Sequence, residues 1–300
     1  MQRRKFLKSM AATGVLLAIP GGRVSLLGSL EAAVQPDLGV VRGPSPAASV
    51  ETAIDALGGI RRFVSRGDIV VVKPNIGWDR TPEYAANTNP EVVATVVRLC
   101  YEAGAKTVKV FDHPVADARR TYKQSGIADA AAAAGAAVRF VDERKFKDMQ
   151  INGLALKSWP LYTEAIEADA IINLPIAKTH GISGLTLGMK NWMGVMGGWR
   201  GRIHQRIDES LVDVTRVVKP TLTILDAVRI LTGNGPQGGS LADVRRLDTV
   251  AAGVDPVAVD AFGATLFGMK PAELGCVRVG HQARLGSMDL GRMNIKRIRL

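Results

Sequence analysis

The feature that most constrains the fold is an alternation, from Leu38 onward, of short apolar runs with segments of helical pattern. The runs predict six strands: Leu38 to Val41, Ile69 to Lys73, Thr107 to Phe111, Ala137 to Val141, Ala170 to Leu174 and Thr221 to Leu225. Several are apolar at every position, which is typical of strands buried on both faces. Alternation of this kind requires crossover connections. We therefore predict an α/β fold, with a doubly wound, mostly parallel sheet and helices on both faces.

Prolines preceded by a capping residue mark the starts of three predicted helices. Ser45-Pro46, Asn89-Pro90 and Asp255-Pro256 each combine an N-cap side chain with proline in the first turn. Asp255 is explained by capping alone, whereas Asp260 faces either the ligand crevice or solvent.

The N-terminal residues have the layout of a targeting segment, with a basic head and a short apolar stretch. That stretch is too short to span a bilayer, which takes about 20 residues. The run Arg3 to Lys8 resembles the twin-arginine export signal, with Gln2 where serine is usual. Glu31-Ala32-Ala33 resembles a cleavage site. The alternative is a disordered basic N-terminus.

The resemblance to an export signal has consequences for domains, location and partners. It implies a signal peptide over 1–33, the twin-arginine translocase as a partner and a periplasmic, extracytoplasmic mature chain. The mature part, 34–300, contains no further apolar run of membrane length and is expected not to span the membrane. We predict one α/β domain there, with two lobes, 34–150 and 151–300, as the alternative.

Charge and cysteine content narrow the classes of partner and cofactor. The chain carries a net charge of +11, most of it beyond the signal, which favours a small anionic molecule as a partner. Aromatic residues are few and no nucleic-acid module is recognisable, so we predict no nucleic-acid binding. Cys100 and Cys276 are the only cysteines, too few for an iron-sulfur cluster of the chain's own. Two buried thiols are expected, with a disulfide as the alternative.

Polar segments follow four of the predicted strands, where a parallel sheet binds its ligands. They begin at Lys73-Pro74-Asn75, at Asp112-His113, at Lys178-Thr179-His180 and at Asp226, which leads to a turn containing Asn234. We expect all four to meet at one edge of the sheet. The third continues through Gly181, Gly184 and Gly188 to Lys190 and Asn191, and glycines there let backbone amides approach an anion.

The chemistry of these segments predicts three groups of residues. Histidine near neutrality transfers protons, and a lysine near other cations has a lowered pKa, so His180, Lys190 and His113 are the predicted catalytic residues. The predicted ligand- or anion-binding residues are Lys73, Asn75, Lys178, Thr179, Thr186, Asn191 and Asn234. His204, Asp112 and Asp226 are predicted metal ligands. For each of the histidines, a structural role with its ring hydrogen-bonded is the alternative.

The motifs together resemble the family known as domain of unknown function 362. The similarity rests on Lys73-Pro74-Asn75, Asn89-Pro90-Glu91, Lys178-Thr179-His180 with Lys190-Asn191, and Asp255-Pro256 through Asp260, and it covers essentially the whole mature chain. Members of that family often carry ferredoxin-type cysteine clusters, which this chain lacks.

A second resemblance is to the nickel-pincer lactate racemase family. His180, Thr186 and Lys190 are spaced as in a segment of that family in which the histidine is an acid/base and the lysine carries the cofactor. His113 and His204 are similar in placement to its second acid/base and its metal-ligating histidine, although His204 stands at a different spacing. The resemblance implies a metal or nickel-type organometallic cofactor.

These observations predict a cofactor- or metal-dependent enzyme, of oxidoreductase or isomerase type, that performs proton or hydride chemistry on a small anionic substrate. Two alternatives remain open. One is a periplasmic anion- or ligand-binding protein without catalysis, and the other is a subunit of an electron-transfer complex that borrows its redox centre.

Overall fold

Continuous apolar runs form the central strands, as predicted. The computed structural model describes residues 35–300, and in it Val70, Val71 and Val72 are completely buried. Val70 and Val72 pack into the core on one face of the sheet, whereas Val71 packs into the core on the other. Side chains alternate between the faces of a strand, so an uninterrupted apolar run needs cover on both faces.

The described residues contain twelve strands and nine α-helices. The strands are β1 (Leu38–Arg42), β2 (Ile69–Pro74), β3 (Thr107–Val110), β4 (Ala137–Val138), β5 (Phe146–Gln150), β6 (Ser158–Tyr162), β7 (Ala170–Leu174), β8 (Ile176–His180), β9 (Gly184–Thr186), β10 (Leu222–Leu231), β11 (Val244–Gly253) and β12 (Ile295–Arg299). The helices are α1 (Pro46–Ala56), α2 (Pro90–Glu102), α3 (Ala118–Gln124), α4 (Ile127–Ala133), α5 (Thr163–Ile166), α6 (Gly188–Asn191), α7 (Ile207–Val218), α8 (Pro256–Thr265) and α9 (Gly275–Gln282).

The main sheet is mostly parallel and confirms the predicted fold class. Its strand order is β12-β1-β11-β10-β7-β2-β3-β4, with β8 and β9 attached beside β10. Neighbours from β10 to β4 run parallel, as do β1 and β12, whereas β11 is antiparallel to both β10 and β1. A separate hairpin pairs β5 with β6. Helices α1, α2 and α4 pack into the core on one face, and α7, α8 and α9 pack into the core on the other.

The three predicted helix starts are confirmed by their caps. The Ser45 hydroxyl accepts a hydrogen bond from the Ala48 N–H, and Asn89 accepts one from the Glu91 N–H. Asp255 accepts two, from the first turn of α8. Each cap satisfies amides that the helix cannot pair internally.

The predicted signal and its cleavage site lie outside the described residues. Gln35–Leu300 form one compact unit. Within 35–300, no helix is long and apolar enough to cross a bilayer. Cys100 and Cys276 are both buried free thiols.

Candidate functional site

A cavity of about 560 Å³ opens where β2, β3 and β8 end. All four predicted segments reach it, because β2 and β3 are parallel neighbours and β8 follows β7, the other neighbour of β2, after a single proline. The fourth segment contributes Pro236, in the turn after β10. The predicted residues in its wall are Lys73, Asn75, Asp112, His113, Lys178, His180, Thr186, Lys190, Asn191 and His204.

Part of the cavity wall is a hydrogen-bonded network around Lys73, which continues through Asn191 and Asn75. Lys73 Nζ lies 2.8 Å from Asp112 Oδ1 and donates to Asn191 Oδ1 at 2.8 Å. Asp112 also accepts the backbone N–H groups of Ile76 and His113. Burial lowers the pKa of Lys73, and the ion pair with Asp112 opposes that effect. Lys73 is completely buried. Its charge is balanced by Asp112 without any ligand, as a buried charge requires.

Gly194 permits this ion pair to form. A Cβ atom at position 194 would lie 1.6 Å from Asp112 Oδ1 and 2.6 Å from Lys73 Nζ. No side chain fits there, so the glycine is explained by close packing against the pair rather than by chain flexibility.

Lys178 is buried at the cavity wall and has no carboxylate within ion-pair distance among residues 35–300. Its Nζ donates to Asn75 Oδ1 at 3.0 Å and to the carbonyl of Ala86. Burial lowers the pKa of Lys178 to about 7, with the Lys190 and Lys73 charges acting in the same direction and Asp112 opposing them. The ammonium is therefore held by neutral oxygens alone, which is an electrostatic setting that favours an anion nearby.

Lys190 lies beside a histidine rather than an acid. Its Nζ is 3.5 Å from His204 Nε2 and 3.2 Å from the sulfur of Met193. His204 Nδ1 is 3.1 Å from the carbonyl of Gly201, so Nδ1 carries the proton and Nε2 presents a lone pair to the lysine. Burial lowers the pKa of Lys190 to about 8.

His180 is held as a neutral imidazole. Its Nδ1 accepts the backbone N–H groups of Ile182 and Ser183, so the ring proton sits on Nε2. Its ring stacks on that of His204 at a centroid distance of 6.0 Å. Burial, together with the nearby Lys190 charge, lowers the pKa of His180 to about 3. A lowered pKa makes this neutral imidazole a weak base, with its Nε2–H available as a hydrogen-bond donor.

His113 also lines the cavity. Its Nδ1 lies 3.1 Å from the carbonyl of Met196, and its Nε2 lies 3.4 Å from Glu143 Oε1. Burial lowers the pKa of His113, and the Arg200 charge adds to this effect. Within 35–300, Arg200 donates to the backbone carbonyls of His113, Met193 and Pro114.

Three predicted residues do not line the cavity. The sequence placed Asp226 at the end of a strand, but β10 continues to Leu231, so Asp226 lies inside it and accepts the N–H groups of Asn89 and Val228 at a bulge. Asn234 donates to Asp243 on the surface. The Thr179 hydroxyl is buried without a hydrogen-bond partner within 35–300, close to Gly235, where a Cβ atom would lie 2.6 Å from it.

The predicted metal ligands are consequently not assembled into one set. Asp112 is engaged by Lys73 and backbone amides, Asp226 lies away from the cavity, and His204 faces Lys190. Within 35–300, no three His, Cys, Asp or Glu side chains are grouped so as to hold a metal ion.

Sequence reasoning missed two contributors to the site. Arg200 has no motif around it and reaches the cavity only through the tertiary fold. Asp260 is completely buried and accepts the N–H groups of Gly188 and Met189, so it anchors the start of α6, which carries Lys190. Burial raises the pKa of Asp260 to about 7. The sequence left its orientation undecided.

Fold and site together define an α/β protein with a cationic cavity at the carboxyl edge of its sheet. The chain belongs to the family described as domain of unknown function DUF362, whose model matches residues 70–265. It is 33% identical over 249 residues to the thylakoid-associated protein sll1697 of Synechocystis sp., a match that covers 80% of this chain and 74% of that protein. The family resemblance stated from the motifs is thereby confirmed.

Two solved structures are similar to the chain at low sequence identity. One is the lactate racemase apoprotein from Thermoanaerobacterium thermosaccharolyticum, with a TM-score of 0.48, 10% identity and coverage of 76% of this chain and 56% of that one. The other is a protein from Thermotoga maritima, with a TM-score of 0.44, 11% identity and coverage of 75% and 59%. The chain spans a little over half the length of each.

Proposed function

We propose that this protein is an enzyme that binds a small anionic substrate in the cavity and transfers a proton to or from it. The observation that carries the proposal is that Lys178 and Lys190 line the cavity without a carboxylate within ion-pair distance among the described residues. Among the described residues, Asp112 is the acidic residue that lines the cavity, and it forms an ion pair with Lys73. The remaining cations, including Arg200, favour a bound anion.

Lys190 is the group best placed to move the proton. Its pKa of about 8 leaves a useful fraction neutral near physiological pH, and the Nε2 lone pair of His204 lies 3.5 Å away to share a proton with it. His180, with its proton on Nε2, acts as a neutral hydrogen-bond donor to the substrate. The geometry therefore favours Lys190 as the general base over His180.

Exchange of substrate hydrogen with solvent tests this activity. The protein is incubated in D₂O with 2-hydroxy acids, which carry a hydrogen on the carbon next to the carboxylate, and with 2-oxo acids, which carry it on the carbon next to the ketone, and exchange is followed by NMR. We expect exchange with at least one of them, reduced at least about 100-fold in Lys190→Met. Lys106→Met, which removes an exposed lysine outside the cavity, is the matched control. An anion that binds without any exchange would identify a binding protein instead.

A covalently carried cofactor on Lys190 is the alternative to its role as general base. Lys190 Nζ has no acidic partner and lies beside the unprotonated Nε2 of His204, so the lysine is free to carry a group and the histidine to contribute one metal ligand. Such a group would supply hydride or Lewis-acid chemistry. Metal analysis of the protein purified from its native host tests this: stoichiometric metal that is lost in both Lys190→Ala and His204→Ala is expected.

We also propose export through the twin-arginine translocase. The motif Arg3-Arg4 supports it, and the relative sll1697 is described as thylakoid-associated. Replacement of both arginines by lysine should leave the protein in the cytoplasmic fraction, whereas the unaltered chain should reach the extracytoplasmic fraction. Equal distribution of the two forms would contradict export by this route.

A further inference from the structure

Exposed apolar side chains surround the mouth of the cavity. Val115, Ile182 and Trp199 are 67%, 64% and 76% exposed, and all three line the cavity. They come from three separate segments: the loop after β3, the turn between β8 and β9, and the loop before Arg200. Nine large apolar residues are exposed in the described chain, so a third of them lie at this one opening.

The cavity therefore has two parts of different chemistry. Its inner wall carries Lys178 and Lys190, which are almost fully buried, and its rim carries the three exposed apolar residues. Exposed aromatic and aliphatic groups gathered at one place mark a binding surface. Here they border a cavity of about 560 Å³, within the range of roughly 300–1,000 Å³ for small-molecule sites, rather than a flat face suited to a protein.

We propose that the substrate is an amphiphile, with an anionic head on Lys178 and Lys190 and an apolar chain or ring against Val115, Ile182 and Trp199. The inference rests on the proposed function, since the head is the anion bound there. Charge complementarity places the head inside, because a buried ammonium without a carboxylate gains most from an anion. The rim then covers the tail and removes its own apolar surface from water.

A chain-length series tests the proposal on the full-length protein. Calorimetry at pH 7 compares inorganic phosphate with ethyl, hexyl and octyl phosphate, each below its micelle concentration. We expect hexyl phosphate to bind at least about tenfold more tightly than ethyl phosphate, because each buried methylene tightens binding by about fourfold.

Variants of the rim separate the tail from the head. Trp199→Ala and Ile182→Ser should reduce the preference for hexyl over ethyl phosphate to about twofold or less, with the affinity for inorganic phosphate unchanged. The backbone N–H of Ile182 that His180 accepts is kept in both variants. Leu241→Ser, which alters an exposed leucine outside the cavity, is the control and should keep the full preference.

Each result decides between defined alternatives. Phosphate binding that is independent of chain length would overturn the amphiphile while leaving the anionic site intact. If the unaltered protein binds none of these anions, the proposed function itself is wrong. A third arm measures co-sedimentation with anionic lipid vesicles: if Trp199→Ala abolishes that binding and leaves the alkyl phosphate series unchanged, the rim is a membrane-docking surface and the proposal is wrong.

Discussion

The buried lysines of the cavity differ in whether an acidic residue balances their charge. Lys73 has an ion pair with Asp112 and a hydrogen bond to Asn191, and Gly194 leaves the space that the pair needs. Lys178 and Lys190 are buried to a similar degree, but within the described residues their partners are carbonyl, amide, thioether or imidazole groups. Asp112 balances the charge of Lys73 in the folded chain, whereas no carboxylate lies within ion-pair distance of Lys178 or Lys190 among residues 35–300.

The difference indicates that burial of a charge serves two purposes here. A buried ion pair with good geometry holds the surrounding backbone in one arrangement, and removal of one partner leaves an uncompensated charge. A buried ammonium without a counter-charge costs stability and shifts toward its neutral form. We therefore expect the burial of Lys178 and Lys190 to lower the free energy of unfolding, a pattern typical of binding or catalytic groups.

The largest effect should come from a matched pair of substitutions. Lys73→Met leaves Asp112 buried without its cation, so we expect the free energy of unfolding to fall by about 3–5 kcal/mol. Lys190→Met removes a buried cation that has no acidic partner, so stability should stay within about 1 kcal/mol or rise. Urea denaturation followed by circular dichroism measures both. An equal fall in the free energy of unfolding in both variants would contradict the distinction between Lys73, which has an acidic partner, and Lys190.

Stability should rise with pH above neutrality because of the unpaired lysines. The pKa of Lys178 is about 7 in the folded protein against an ordinary value of 10.5. Between these values the unfolded chain binds more protons, so deprotonation favours the folded state. From pH 7 to pH 9 the free energy of unfolding of the unaltered protein should gain on the order of 2 kcal/mol relative to Lys178→Met. Parallel pH profiles would be inconsistent with a lowered pKa at Lys178.

Anion affinity should follow the opposite course. Lys178 and Lys190, with pKa values of about 7 and 8, lose their charge as the pH rises. Sulfate keeps its own charge throughout this range, so its dissociation constant reports the protein groups. We expect it to weaken at least about tenfold between pH 6.5 and pH 9. Constant affinity would mean that Lys73 or Arg200, and not the unpaired lysines, holds the anion.

The smallest effect is expected at Thr186. Its hydroxyl is buried at the cavity wall and has no hydrogen-bond partner within 35–300. Thr186→Val should change stability by less than about 1 kcal/mol and weaken sulfate binding by about threefold to tenfold. Thr223, another buried hydroxyl without a partner but outside the cavity, provides the control. Thr223→Val should leave sulfate affinity unchanged.

The sequence predicted the fold more fully than the site. Strands such as β2 and β7 are recognisable because an apolar run that is buried on both faces leaves a continuous pattern. Strands β8 and β9 were interpreted as a loop, since Lys178, Thr179 and His180 break that pattern. Asp226 was misplaced because an aspartate inside a strand is exceptional, and only the bulge in β10 supplies the amides that accommodate it.

The sequence by itself determined the class of fold, the three capped helix starts, the convergence at one edge of the sheet of polar segments that follow predicted strands, and the family. These follow from local patterns, which a chain carries in its order of residues. Only the tertiary structure decided that Asp112 neutralises Lys73 and leaves Lys178 and Lys190 without acids, and that Trp199 and Arg200 reach the same cavity. The physical reason is distance: the charges that set a pKa act through space between residues far apart along the chain.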